Sequence, residues 1–387
     1  MTYNFDQEIS RTKTGSIKWD WFGDDVLPMW VADMDFQAPP QVLNALQSHV
    51  THGIFGYGVP QKALSETICA RMADQYNWQV TPEQIVFLPG LVCGVNLVCR
   101  AYGEPSSGVL VQTPIYPPFL SAPSNQGQVL QTADLALVDK GATIGYEIDF
   151  AAFEAAITKQ TKLFILCHPH NPTGVSYSVD DLTRMAEICA RHGVIICSDE
   201  IHCDLLLDGT SHVPMAAVSP EISQNCITLM APSKTFNIPG LGCSFAIVQN
   251  PDLLTQLNQA RDGIVPWVNV LGLTAAQAAY DECDPWLADL RDYLTANRNF
   301  LTSYITEKLP SLRPTHPNAT YLTWIDCRQS GIEDNPHKFF LEHGKVALND
   351  GTAFGKAGEG FVRLNFGCPR SQLEEALDRM QTALKIV

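Results

Sequence analysis

The chain has no apolar run approaching the ~18 residues of a membrane span. Its N-terminal stretch, MTYNFDQEISRTKTGSIKWDW, has no apolar segment behind a basic start, so no secretory signal is read there. Basic charge is scarce: 25 Lys and Arg stand against 41 Asp and Glu, a net charge of −16. Such a surface repels phosphate backbones and argues against nucleic acid as a partner. The 12 cysteines form no C-x-x-C pair, and several lie inside apolar runs, such as Cys167 in LFILC and Cys197 in VIIC. Reduced, buried thiols are expected, not a disulfide scaffold or a structural zinc. His168 and His170 form an H-x-H, but no third ligand is spaced to complete a metal site, and none is expected. Gly355, Gly358 and Gly360 lack the order of a phosphate-binding Walker loop and read as a flexible loop. Repeats and low-complexity tracts are also missing. These exclusions leave a cytosolic globular protein of 387 residues, 45% hydrophobic, with two or three domains at roughly 150 residues each.

The middle of the chain alternates short apolar runs with amphipathic stretches. Gly108–Gln112, Lys162–Cys167, Gly193–Cys197, Cys226–Met230 and Phe245–Val248 read as strands, and Val179–His192 has helical periodicity. Continuous β-branched runs separated by helices predict an α/β fold with a mostly parallel sheet covered on both faces. From about Asp281 the character changes. A long helix over Pro285–Leu309 leads to strands at Tyr321–Ile325 and Phe361–Asn365 and a final helix from Ser371, the pattern of a smaller α+β domain. The expected organisation is an N-terminal arm over 1–45 that contributes to the small domain, a large domain over 46–282, and a small domain over 283–387.

Three polar clusters each follow a predicted parallel strand. His170-Asn171-Pro172-Thr173-Gly174 follows LFILC, Asp199-Glu200 follows VIIC, and Ser233-Lys234 follows ITLM. Ligands of open α/β sheets bind in the crevice beyond the carboxyl ends of the strands, so one ligand could touch Asn171, Asp199 and Lys234 together. An aspartate after a strand is also a common helix cap; the ordered set is what points to chemistry. A lysine that can hold a carbonyl cofactor covalently, with an aspartate that can keep a pyridine nitrogen protonated, is what a pyridoxal phosphate (PLP) site requires. Phe87-Leu-Pro-Gly90 before Leu91–Cys99 looks like a loop opening a buried helix, whose free N–H groups suit a phosphate. In isolation the segment reads better as an ordinary turn before a core helix.

The chain resembles the fold-type I PLP enzymes of the class I/II aminotransferase superfamily, and within them the MalY/PatB branch of cystathionine β-lyases, or C–S lyases. The likeness runs nearly end to end, through Trp30–Phe36 (WVADMDF), Gly56-Tyr57-Gly58, Thr113–Phe119, His170–Gly174, Ser198–His202, Ser233–Asn237 and Phe361–Gly367. It implies that Lys234 carries the cofactor and moves the Cα proton, and that Asp199 pairs with the ring nitrogen. Asn171 and His202 would lie near the phenolic oxygen, and Tyr116 would stack on the ring. The phosphate would meet the N–H groups of Gly90, Leu91 and Val92 together with Ser233, and Tyr57 would reach the cofactor of the neighbouring subunit in a homodimer. Arg363 would clamp the substrate α-carboxylate.

Two positions depart from the wider superfamily: Ala231, where a phosphate-binding serine is frequent, and Gly242, where an arginine is frequent. Asp33 and Asp35 could contact the site or only fasten the arm. The implied reaction is β-elimination of a small-molecule amino acid, L-cystathionine or another cysteine S-conjugate, to thiol, pyruvate and ammonia. An aminotransferase shares every expected cofactor contact and stays open, as does a PLP-fold protein with a regulatory binding role.

Overall fold

The computed structural model describes residues 3–387. Seven strands form the main sheet: β1 (Ile85–Leu88), β2 (Gly108–Thr113), β3 (Val129–Asp134), β4 (Thr161–Cys167), β5 (Ile195–Asp199), β6 (Cys226–Met230) and β7 (Ser244–Ile247). Their spatial order is β1-β7-β6-β5-β4-β2-β3, and β7 alone runs antiparallel to its neighbours. Strands β2, β5 and β6 contain almost no exposed residue, which is why they read as continuous apolar runs and not as alternating ones.

Helices α3 (Leu91–Tyr102) and α4 (Val179–His192) pack on this sheet and α5 (Val270–Glu282) meets it through Tyr280 and Phe245, while α1 (Pro40–His52) and α2 (Lys62–Tyr76) pack on α5. Helix α4 shows how local sequence sets the boundaries. The Ser178 hydroxyl accepts the Asp181 N–H, and the Asp181 carboxylate accepts the Ser178 N–H, closing a capping box. Leu182, Met185, Ala186 and Cys189 form its buried stripe. Gly193 ends it at φ 65°. That left-handed cap is the reason β5 starts at Ile195 and not at Gly193 as the apolar run suggested.

A second, antiparallel sheet follows the 25-residue helix α6 (Asp284–Lys308). It has the order β8-β9-β11-β10, with β8 (Arg313–Pro314), β9 (Leu322–Asp326), β10 (Asn349–Asp350) and β11 (Phe361–Asn365). Helix α7 (Arg370–Ala383) packs on α6. The N-terminal arm lies against this part of the chain: Leu27–Pro28 pairs with Val346–Ala347, and the Phe5 ring meets Trp286 and Tyr293.

The glycine-rich stretch before β11 is not the flexible loop the sequence suggested. It forms two short 3₁₀ turns, Gly351–Phe354 and Lys356–Gly358. A Cβ on Gly358 would stand 1.9 Å from the Gly351 carbonyl oxygen, so the glycines permit backbone to pack on backbone. Among the described residues, no helix is long and apolar enough to cross a membrane.

Candidate active site

Parallel register puts the three polar clusters side by side. Cys167 pairs with Asp199, and Asp199 with Leu229, so β4, β5 and β6 end at one level. The turns that follow open into a cavity of about 310 Å³. Gly90, Leu91, Val92, Tyr116, Asn171, Asp199, His202, Ser233 and Lys234 all line it. Arg363 arrives from the second sheet and donates to Asn171 Oδ1 at 2.8 Å. Tyr57 is the exception: it stands fully exposed on the outer surface.

Burial sets the electrostatics of the groups around the cavity. Burial lifts the Asp199 carboxyl to about 7; the Ile201 N–H opposes this, the Glu200 charge adds to it, and Lys234 opposes it. That carboxylate accepts the Ile201 N–H at 3.1 Å and otherwise opens to the cavity. Burial also lowers the Lys234 amine to about 8, against the fields of Asp33 and Asp199. His202 is held near 3 by burial and by Lys234 and Arg363, so its ring is neutral. Its Nδ1 is buried and has no partner. A free acid, a lowered amine and an orphaned imidazole nitrogen around one cavity match the needs of a protonated pyridine with an aldehyde and a phenolic oxygen. The residues present fit PLP.

Arg363 has the features of an anion receptor. Its acceptors are Asn171 Oδ1, the Trp30 carbonyl and Asn349 Oδ1, all neutral, and its Nε is buried without a partner. An ordinary strand arginine in an ion pair would show a carboxylate here. Burial lowers this guanidinium to about 10, a cost that an incoming carboxylate would offset.

The loop before α3 offers backbone groups that could meet a phosphate. Gly90 caps α3, whose first N–H groups have no intrahelical acceptor. Among the residues lining the cavity, Lys234 is the only Lys or Arg. The structure also gives a reason for glycine at 242. This residue has φ +59°, and a Cβ there would lie 2.9 Å from the Pro89 carbonyl oxygen. The loop at Pro89 backs directly onto Gly242, so the position where the superfamily resemblance would lead one to expect an arginine has no room for a side chain.

Several contacts around Lys234 run through the backbone and leave no mark in the sequence. The Lys234 amine donates to the Ala32 carbonyl, which also accepts the Tyr321 hydroxyl at 2.9 Å. Asn237 holds the same segment by bonding the Met34 N–H and the Met34 and Phe36 carbonyls. The WVADMDF motif marked this segment without indicating that its backbone faces the lysine. Asp33 and Asp35 are bound to the arm's own cations: Asp33 to Arg11 at 2.6 Å, and Asp35 to Arg11 and Lys18, each at 2.6 Å. They fasten the arm that presents Ala32. His168 and His170 bond locally, to the Val213 carbonyl and to Thr173 Oγ1.

The profile of aminotransferases of class I and II matches residues 24–380. The chain is 40% identical to the cystathionine β-lyase PatB of Bacillus subtilis, over 98% of this chain and all of that one. It is 34% identical to the protein MalY of Escherichia coli, over the full length of both. Among solved structures, the PLP-bound C–S lyase of Staphylococcus hominis superposes with a TM-score of 0.92 at 33% identity, covering 99% of each chain. Sheet order, cavity and full-length likeness agree: the chain belongs to the class I and II aminotransferase family, in the group of the PatB- and MalY-type cystathionine β-lyases.

Proposed function

We propose that this protein is a PLP-dependent carbon–sulfur β-lyase that splits L-cystathionine or a related cysteine S-conjugate into a thiol, pyruvate and ammonia. The grouping of Lys234, Asp199, Asn171 and His202 around one cavity, with Arg363 bonded to Asn171 as a buried cation without a counter-ion, supports a PLP enzyme of amino acids; the observation that favours a lyase over an aminotransferase is the full-length likeness to PatB, a cystathionine β-lyase.

PLP, when bound to a substrate amine, withdraws electrons from Cα and so makes the Cα proton removable. The chain's residues arrange the rest. Asp199 keeps a proton at the ring nitrogen, which its burial and raised basicity favour. Asn171 accepts Arg363 on its oxygen and therefore directs its amide N–H₂ toward the cavity. Arg363 receives the α-carboxylate, and its fork sets the Cα–H direction. Lys234, lowered toward neutrality, takes the Cα proton, with the Ala32 carbonyl as a resting acceptor for its amine. The Cβ–S bond then breaks and the sulfur leaves as thiolate. Tyr116, half-buried at the cavity wall, supplies the stacking face.

The protein acts as a homodimer in this reading, with Tyr57 completing the partner's phosphate site. Two facts support it. The cradle contains no arginine, and Ile54, Phe55, Tyr57, Val59, Ile264 and Trp267 leave an exposed apolar face. Val59 and Trp267 border one surface hollow, so the two stretches are contiguous. The domain limits we adopt are an arm over 1–45, a large domain over 46–282 and a small domain over 283–387, in keeping with α6 starting at Asp284.

Lys234→Ala is the direct test. Thiol release from L-cystathionine should fall by at least about a thousandfold, the scale on which loss of a proton-transfer group acts. Near-normal release would overturn the mechanism.

A further inference from the structure

Asp204 lies five residues beyond Asp199, buried and outside the lining of the cavity. Its two carboxylate oxygens face different parts of the molecule. Oδ1 accepts Arg71 Nη2 of α2 at 2.9 Å and the Tyr76 hydroxyl at 3.1 Å. Oδ2 accepts the Thr235 hydroxyl at 3.0 Å. The Asp204 carbonyl accepts Arg291 Nε of α6. Arg71 sends its other terminal nitrogen to Asp284, the first residue of α6, at 2.8 Å.

Arg71 divides its fork between two carboxylates, Asp204 and Asp284, and so takes only one oxygen of Asp204. The other oxygen is left for Thr235, which is fully buried and adjoins Lys234. A buried ion pair is weak evidence for stability, because desolvation consumes most of its Coulomb gain. What is particular to this pair is where its second oxygen goes, to the residue next to Lys234.

The segment around Asp204 is also tied to the second sheet. The Leu205 carbonyl accepts the Thr320 N–H at 2.8 Å, and the Leu207 N–H donates to the Asn318 carbonyl at 2.9 Å. These residues run directly into β9, the partner of the strand that carries Arg363.

We infer that Asp204 is a positioning residue that locks the Lys234 turn, through Thr235, to the turn bearing Asp199 and His202 and to helices α2 and α6. This keeps the lysine amine in register with the ring contacts on one side and with Arg363 on the other. The inference rests on the PLP reading above.

Thr235→Val removes the single hydroxyl while keeping the shape, and leaves Asp204 Oδ2 without its donor. The variant should fold, with an unchanged far-ultraviolet spectrum. Its dissociation constant for PLP should rise about tenfold, the effect of one hydrogen bond to a buried charge. The circular dichroism band of bound PLP, which reports the orientation of the ring, should change in sign or amplitude. Thr235→Ser should restore both, and Asp204→Asn should resemble the valine variant. Wild-type affinity and an unaltered band in Thr235→Val would overturn the inference, as would failure of serine to rescue. If wild-type protein binds PLP normally in those same measurements, such a result strikes only the role of Asp204; a wild-type chain unable to bind PLP would overturn the cofactor reading with it.

Discussion

Asp199 is where function and stability conflict most openly. Its folded-state carboxyl is raised to about 7 from an ordinary 3.8, so the folded chain without cofactor binds a proton that the unfolded chain releases. Stability from this group is full at low pH and is lost as pH climbs from about 4 through 7. Asp199→Asn should therefore stabilise the cofactor-free protein at pH 8 by ~1–2 kcal/mol while weakening PLP retention. Thermal melts at pH 4 and pH 8 check this: the gain should be small at pH 4, and an equal gain at both would contradict the assignment. Lys234 gives a second prediction. With its amine lowered to about 8, covalent capture of PLP should accelerate nearly tenfold per pH unit below 8 and level off above it. Stopped-flow absorbance would record the profile, and a rise continuing to pH 10 would mean an unperturbed lysine. Arg363→Ala should chiefly raise KM for substrates with a free α-carboxylate, with Arg363→Lys recovering little because ammonium cannot reproduce the fork.

At the scale of elements, the strand ends carry most of what the sequence made legible. Apolar runs followed by polar clusters located β4, β5 and β6 and the turns beyond them, because strands buried on both faces have no choice of composition. Boundaries slipped where backbone geometry decided, as at Gly193, whose left-handed cap delayed β5. Contacts through backbone carbonyls, such as Lys234 with Ala32, left no signature in side-chain chemistry. Gly242 lies between these cases: its departure from relatives was visible, but the reason, an approach to the Pro89 carbonyl, required the fold. Gly242→Ala should cost ~1–3 kcal/mol through its positive φ and push the cradle loop outward, lowering PLP affinity. Urea unfolding and cofactor titration measure both effects, and a neutral outcome in each would show that the loop has slack.

For the whole molecule, the unresolved demand is the phosphate charge. An acidic chain with no arginine lining the cavity would, in the proposed reading, rely on α3 amides, Ser233 and Tyr57 from a second copy. Trp267→Glu should break the exposed apolar face, yield monomers in sedimentation, and reduce PLP affinity together with Tyr57→Phe. Monomers that retain full affinity would separate assembly from the site. The most direct test of the central claim is the stoichiometry of products from L-cystathionine with PLP-loaded protein and no keto acid present. A β-lyase releases homocysteine and pyruvate in equal amounts over many turnovers. A single turnover that stalls with the cofactor in its amine form, and resumes only when a keto acid is added, would make the protein an aminotransferase instead.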